Sequence, residues 1–305
     1  MKLAQSLFEP AISEVSAEHI NRPSTTMLQD AWRRFKLNKL AMGGLITLVA
    51  LVIFAFIGPF LIQYNYFTND LMNTYLKPSW IHPFGTDSLG RDSMARLMYG
   101  GRVSLAIGFV SVLINLTIGV FYGGISGYFG GRIDNIMMRI IDIIYSIPEL
   151  LYVILLMVVM GSKGGLINIM IVLGIVNWMG MARIVRGQIL ALREQEYVLA
   201  AKTLGASTSR LMLKHLIPNA MGPIIITSAL AIPAAIFMEA FLSFIGIGIQ
   251  PPFASWGSLA ADGRLNIPSY PYALFFPAMA IAITMLGFNF VGDGLRDAFD
   301  PKMRK

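Results

Sequence analysis

The sequence predicts an all-α membrane protein of six transmembrane helices with both termini on the cytoplasmic side. Three observations carry that expectation. The 305 residues are 55% hydrophobic and only 13% charged, with a mean hydropathy of +0.64; such values belong to a multi-span membrane protein. Six apolar runs fall at 43–62, 103–127, 136–160, 166–182, 222–246 and 272–292, most of them near or above the roughly 20 residues that a ~30 Å hydrocarbon core requires. Lys and Arg are also unevenly placed: 18 lie in 1–42, 128–139, 183–221 and 293–305, against 5 in 64–101, 161–165 and 247–271, with Arg102 at the edge. An even number of spans and that bias put both termini inside.

The same composition excludes several functions. A net charge of +7 would suggest nucleic acid in a soluble protein, but here it is accounted for by the inside loops, and no nucleic-acid partner is expected. With no cysteine and three scattered histidines, neither a disulfide framework nor a metal site is expected. No G-x-x-x-x-G-K-[ST] loop is present, so the chain does not cradle ATP itself and should carry no cofactor. No Ser, His and Asp arrangement or carboxylate pair suggests an enzyme, and energy must come from a partner or a gradient.

Residues 1–42 are polar and hold no apolar run, so no cleavable signal is expected and the first span serves as its own address. Within them, QDAWRRFKLNKLA at 29–41 mixes Trp32, Phe35, Leu37 and Leu40 with Arg33, Arg34, Lys36 and Lys39. That reads as a basic amphipathic segment on the cytoplasmic lipid surface, or as a plain positive-inside anchor with the same orientation. Gly58-Pro59 marks where the first span, within 43–63, leaves the membrane. The loop at 64–101 ends in HPFGTDSLGRDSMARLMYGGR, where Asp87 and Asp92 flank Arg91 near Gly85 and Gly90. A turn with a local ion pair explains these residues; a calcium loop needs more oxygen ligands in series.

The second span carries Gly108, Asn115, Gly119, Gly123, Gly124 and Gly127, and later spans carry Gly174, Asn177, Gly180, Gly287 and Asn289. Small residues allow close helix approach and amides bond across interfaces, with a few left to line a path. In the third span, Arg139 and Asp142 are spaced for an i,i+3 ion pair. Glu149 follows Pro148 about 13 residues into that span, ~20 Å along at 1.5 Å per residue, which places it near the midplane. A charge there costs about 2.5–3.5 kcal/mol on insertion scales, so Glu149 should line a hydrated cavity or bond a neighbouring helix.

Residues 193–223, REQEYVLAAKTLGASTSRLMLKHLIPNAMGP, form the one long polar and basic passage between two apolar runs. Glu196 to Leu204 is a good helix former, and Gly205 sits where a helix C-terminus wants positive φ. Ser207 or Thr208 can cap a second helix that runs toward Pro218, holding Leu211, Leu213, Leu216 and Ile217 beside Arg210 and Lys214. The expected shape is a peg standing outside the membrane. In the fifth span, Glu239 reads as a buried carboxylate hydrogen-bonded to a neighbouring helix. After it come a rigid Pro251-Pro252 turn and an exposed Trp256, and the sixth span leads into a short tail at 294–305.

These stretches resemble the membrane subunits of ATP-binding-cassette importers, whose cytoplasmic loop has the form E-A-A, three residues, Gly, nine residues, I-x-L-P. Ala200-Ala201, Gly205 and His215-Leu216-Ile217-Pro218 keep that spacing, with Leu199 in place of the Glu and His215 in place of the Ile. G-T-D-x-x-G-R-D followed by Tyr99-Gly100, Arg102 and Ser104-Leu105 is similar to the dipeptide and oligopeptide importer permeases with a long external first loop. So are Glu239-Ala240, Leu242-Ser243-Phe244 and the segment PPFASWGSLAADGR.

The resemblance implies a type I importer permease fold, with a five-helix core at 102–293 joined to an N-terminal helix, in a bacterial cell membrane. It implies a second homologous permease, two ATPase subunits that hold ATP and magnesium, and an external substrate-binding protein, with peptides or nickel complexes as substrate. It assigns the ATPase-coupling loop to Glu196, Ala200, Ala201, Gly205, Ala206, Ser207, Arg210, His215 and Pro218. Asp87, Arg91, Asp92 and Trp256 would face the binding protein, and Glu149, Asn177, Glu239 and Asn289 would line or gate the pathway. The rival readings are a proton-coupled transporter with Glu149 and Glu239 as relay, and a membrane scaffold.

Overall fold

The computed structural model describes residues 26–161 and 165–300, so most of the polar N-terminal segment, residues 162–164 and residues 301–305 lie outside the described part. Among the described residues the regular structure is helical: α1 Met27–Leu37, α2 Lys39–Phe56, α3 Ser93–Phe129, α4 Gly131–Tyr145, α5 Glu149–Met160, α6 Gly165–Arg193, α7 Glu196–Thr203, α8 Thr208–Leu211, α9 Ile217–Phe244, α10 Trp256–Arg264 and α11 Tyr272–Phe299. Among the described residues, five helical segments are long and apolar enough to cross a membrane: Lys39–Phe60, Ser93–Phe129, Gly165–Arg193, Thr208–Phe244 and Tyr272–Phe299. α4 and α5 make a sixth crossing if counted together, bent by 86°.

That bend corrects the reading of one span over 136–160. Proline disfavours helical geometry in the residue before it and donates no hydrogen bond, and Ser146-Ile147-Pro148 is the break. Glu149 therefore opens α5 instead of sitting inside a helix; it is exposed and lies in the first turn, where a carboxylate suits the helix dipole. The i,i+3 pair is also replaced: Asp142 binds Arg183 of α6 at 2.8 Å. A third difference concerns the second peg helix. Instead of ending near Pro218, α8 continues through a π turn at Met212–Leu216 into α9, giving one helical run from Thr208 to Phe244.

The bundle closes around α3. Along its seam with α6, a Cβ on Gly123 would run into the backbone of Ala182, so only glycine permits that approach. α2 closes on α11 in the same manner, with Gly44 against the backbone of Gly287, while Ile46, Val49, Val52 and Ile53 turn outward as a lipid-facing stripe. The basic segment expected to lie flat is split at Asn38, whose side chain caps α2 by accepting from the Leu40 and Ala41 N–H groups. α1 buries Ala31 and Phe35 against Ala41 and Ala298, so it docks on the end of α11 while Trp32 and Leu37 stay exposed. The structure thus has two ends, one bearing α1, the α6–α8 connection and the end of α11, and an opposite end bearing 61–92 and 245–271.

Candidate functional site

At the first end the peg forms as a closed turn. The Gly205 N–H reaches the Lys202 carbonyl and the Ala206 N–H reaches back to Ala201, both at 3.0 Å, with Gly205 at φ +83°. This is the paired helix-ending motif in which residue C″ bonds C3. Ala201 and Ala206, the two positions that bond, also pack on the same apolar cluster. The spacing Ala-x-x-x-Gly is therefore a structural prescription, because it sets the stop of α7. Ser207 then caps α8, its Oγ accepting from the Arg210 N–H at 3.4 Å.

Beneath the turn, Val198, Leu211 and Leu216 are buried with Val185, Ile189, Ala220 and Ile224. Above it Glu196, Ala200, Ser207, Arg210 and Pro218 are exposed, as are Tyr197, Leu199, Leu213 and Leu204, the last at 87%. His215 is half-buried, its carbonyl accepting from the Asn219 amide at 2.6 Å. The sequence-predicted coupling residues are thus brought together, on an apolar footing and with one apolar edge free.

The base of the peg is held by a set of residues that sequence reasoning missed. Arg186 of α6 makes a two-pronged bond to Asp134 of α4, both contacts at 2.5 Å, and Ser126 of α3 donates to the same carboxylate at 2.5 Å. One turn earlier Arg183 binds Asp142 and lies over the Tyr145 ring at 4.5 Å. Arg193 donates to the carbonyls of Gly127 and Tyr128 at the end of α3, and the Tyr128 hydroxyl meets that of Thr208 at 3.3 Å. Forked guanidinium contacts fix orientation as well as distance, so α6 cannot rotate without carrying α4 and α3. The available signal was Arg183, Arg186 and Arg193 spaced along one helix.

The opposite end is organised by Glu239, fully buried at 0% exposure. Ser243 of its own helix donates at 2.7 Å, Ser255 at the start of α10 at 2.6 Å, and Ser104 of α3 at 3.5 Å. Each hydroxyl in turn accepts a backbone N–H: from Ile249, from Ser258 and from Trp256. The serines thus spend their protons on the carboxylate and their lone pairs on the 249–258 segment, pinning it to α3 and α9. The N-terminus of α10 also points its dipole toward this anion. Glu239 is a structural hub, as the buried-carboxylate reading expected, and lines no open path.

Trp256 corrects the exposed reading: it is fully buried, and its indole N–H donates to the Leu97 carbonyl at 3.0 Å. Asp92 is 4% exposed; it caps α3 by accepting from the Ala95 N–H and meets His82 at 2.8 Å. The Asp87–Arg91 pair forms as expected, at 2.7 Å, and Arg96 joins it at 2.5 Å. Burial alone would raise the Asp87 carboxyl, but the Arg96 guanidinium, the Arg91 charge and the N–H groups of Arg91 and Leu89 hold it below the ordinary carboxylate range. These four residues face inward and bind the 61–92 loop to the bundle. Of the remaining candidates, Asn177 donates to its own helix at Leu173, 3.1 Å away, and Asn289 is exposed.

Comparison with known proteins supports these motifs. Residues 119–305 match the family described as binding-protein-dependent transport system inner membrane component, and residues 26–78 match the N-terminal TM domain of oligopeptide transport permease C. The chain is 53% identical to the oligopeptide transport system permease protein OppC of Bacillus subtilis over 99% of both chains. It is 55% identical to the dipeptide transport system permease protein DppC of the same organism, over 95% of this chain and 90% of that one. The OppC protein of Escherichia coli K12 is 41% identical over 94% of this chain and 95% of its own length. Among solved structures, a chain of the MetNI methionine ABC transporter in an inward-facing conformation aligns with a TM-score of 0.52 at 18% identity, over 66% of this chain and 94% of that one. At that identity the likeness shows the fold, a type I importer permease.

Proposed function

The chain belongs to the family of binding-protein-dependent transport system inner membrane components, and from that premise we propose that it forms half of the membrane pathway of an ATP-driven importer of oligopeptides or dipeptides. A second homologous permease supplies the other half. Two ATPase subunits, which hold the ATP and magnesium, dock on the peg at Glu196 to Pro218, and a binding protein delivers substrate at the opposite end. Both termini and the peg lie in the cytoplasm, as the 18 to 5 distribution of Lys and Arg favours.

The observation that carries this reading is the peg itself. An exposed helix pair with a free apolar edge of Tyr197, Leu199, Leu204 and Leu213 stands on α6, which is cross-tied to α4 by Arg183 and Arg186. Such a knob takes up a rigid-body push and passes it to the helices at its base, the requirement for alternating access driven from outside the membrane. A proton relay through Glu149 and Glu239 gains no support, since Glu239 is sealed among three hydroxyls and Glu149 opens a separate helix.

The test is orientation together with partner retention. Single cysteines at the exposed Ser79, Ser269 and Ser209 need no background removal, because the chain has no cysteine. An impermeant thiol reagent on intact cells should label Ser79→Cys and Ser269→Cys and miss Ser209→Cys, and purification through this chain should retain ATPase subunits. The opposite labelling pattern, or a chain that purifies without an ATPase, would refute the assignment.

A further inference from the structure

Between the end of α9 and α10 lies a cavity of about 440 Å³, walled by Phe244, Ile245, Ile249, Pro251, Phe253 and Leu265, with Arg96, Gln250, Ser258, Asp262 and Arg264 also lining it. Its lining is more polar than apolar, which suits a small polar or charged ligand. Its charged groups differ in how far they are committed. Arg96 is 5% exposed and held by Asp87 at 2.5 Å, with Asp262 a more distant 3.8 Å away. Asp262 keeps 68% of its side chain exposed. Arg264 has no carboxylate partner among the described residues; its guanidinium lies 4.3 Å from the centre of the Phe244 ring, which fixes the plane of the fork and leaves its N–H edge free.

Arg264 in the last turn of α10 does favour that helix dipole, yet a dipole alone would be served equally by a lysine and needs neither a cavity nor an aromatic platform. The approach is unobstructed at Gly246, where an added Cβ would meet nothing within 4 Å, while that residue's own N–H and carbonyl are taken by Ser243 and Gln250. The cavity therefore offers a planar cation and an exposed anion. Those features match the two charged groups that every free short peptide shares whatever its side chains, a carboxylate and an ammonium. A guanidinium bonds a carboxylate through two parallel N–H contacts, which an amide cannot reproduce.

We propose that this cavity is a peptide-end subsite of the permease itself, in which Arg264 binds the free C-terminal carboxylate of the transported peptide and Asp262 faces its ammonium group. The assignment rests on the peptide-importer reading above. It places selectivity for a free C-terminus in this subunit, additional to whatever the binding protein selects.

The test uses the complete transporter, with its permease partner, ATPases and binding protein, in proteoliposomes, and compares ATP-dependent uptake of trialanine with that of trialanine amide. The binding protein contributes equally to every permease variant, so the acid-to-amide ratio isolates the permease. Arg264→Gln should lower trialanine uptake about tenfold, the loss of one charge-assisted carboxylate contact, while leaving the amide within about twofold of the parent. Arg264→Lys, which keeps the charge and loses the fork, should restore part of the acid uptake. An equal fall for acid and amide, or no fall in either, would overturn the subsite. If the unaltered transporter carried neither compound, the peptide reading would fail first, and the two failures are told apart by that control.

Discussion

The two ends of the bundle carry family motifs of similar clarity, yet the structure uses them in opposite ways. At the peg the motif residues shape an exposed turn: Gly205 and Ala201 close it and leave Leu204 87% exposed. At the other end Glu239, Ser243, Ser255 and Trp256 are all buried and bonded to one another or to α3. One motif makes a surface and the other makes a joint. A recurring pattern of residues therefore does not by itself say whether its side chains meet a partner, and burial of the hydrogen-bonding atoms decides between the two.

If the joint is as described, Glu239→Ala should have the largest effect of any single change considered. It strands three hydroxyls in a dry site and unties the 249–258 segment, costing about 3–5 kcal/mol by the measure of broken buried charge networks. The purified complex should melt at a markedly lower temperature, and a cysteine at Ser258 should become reactive to a thiol reagent. The peg should be untouched, so ATPase subunits should still copurify; their loss would mean that the two ends are not separable.

Arg186→Ala comes next. It leaves the Asp134 carboxylate, 8% exposed, without its cation, and because Arg186 is itself one third exposed the cost should be about 2–3 kcal/mol. ATPase binding should persist while hydrolysis responds less to substrate, because α6 then keeps only the Arg183–Asp142 link to α4. Undiminished substrate response in purified complex would remove the cross-tie from the transmission path.

Gly205→Val is smaller again. An added Cβ meets nothing within 4 Å, so the strain is confined to φ +83°, about 1–2 kcal/mol for a residue with a side chain there. Insertion should be normal and coupling of hydrolysis to transport reduced. Normal coupling in that variant would show that the turn geometry is not what the partner reads.

The contrast also explains what was legible in the sequence. The stop at Gly205, a cap at Ser207 or Thr208 and the Asp87–Arg91 pair are local events, settled within a few residues, and all were readable. The burial of Trp256 was not, because its partners Leu97 and Ser104 lie 159 and 152 residues upstream and a Trp beside a Pro-Pro turn has the composition of a surface. The links from Arg183 to Asp142 and from Arg186 to Asp134 span 41 and 52 residues, beyond any helical spacing. Pro148 was visible, but an unbroken hydropathy run masked the break it causes.

The smallest expected effect is a pH dependence at the loop end. Asp87 is held below the ordinary carboxylate range in the folded chain, chiefly because Arg96 and the Arg91 and Leu89 backbone outweigh its burial. A depressed folded value contributes stability that is present above the unfolded pKa, about 3.9 for Asp, and is lost as pH falls through the folded value. Acid should therefore loosen the 61–92 loop by this route. Hydrogen exchange should show protection of the amides at 86–92 falling below about pH 4. In Asp87→Asn the loop should start less protected, since Arg96 loses its nearest anion, but its remaining protection should be flatter with pH. A loop in that variant that still loosened over the same acid range as the parent would show that Asp87 is not the group that ties it down.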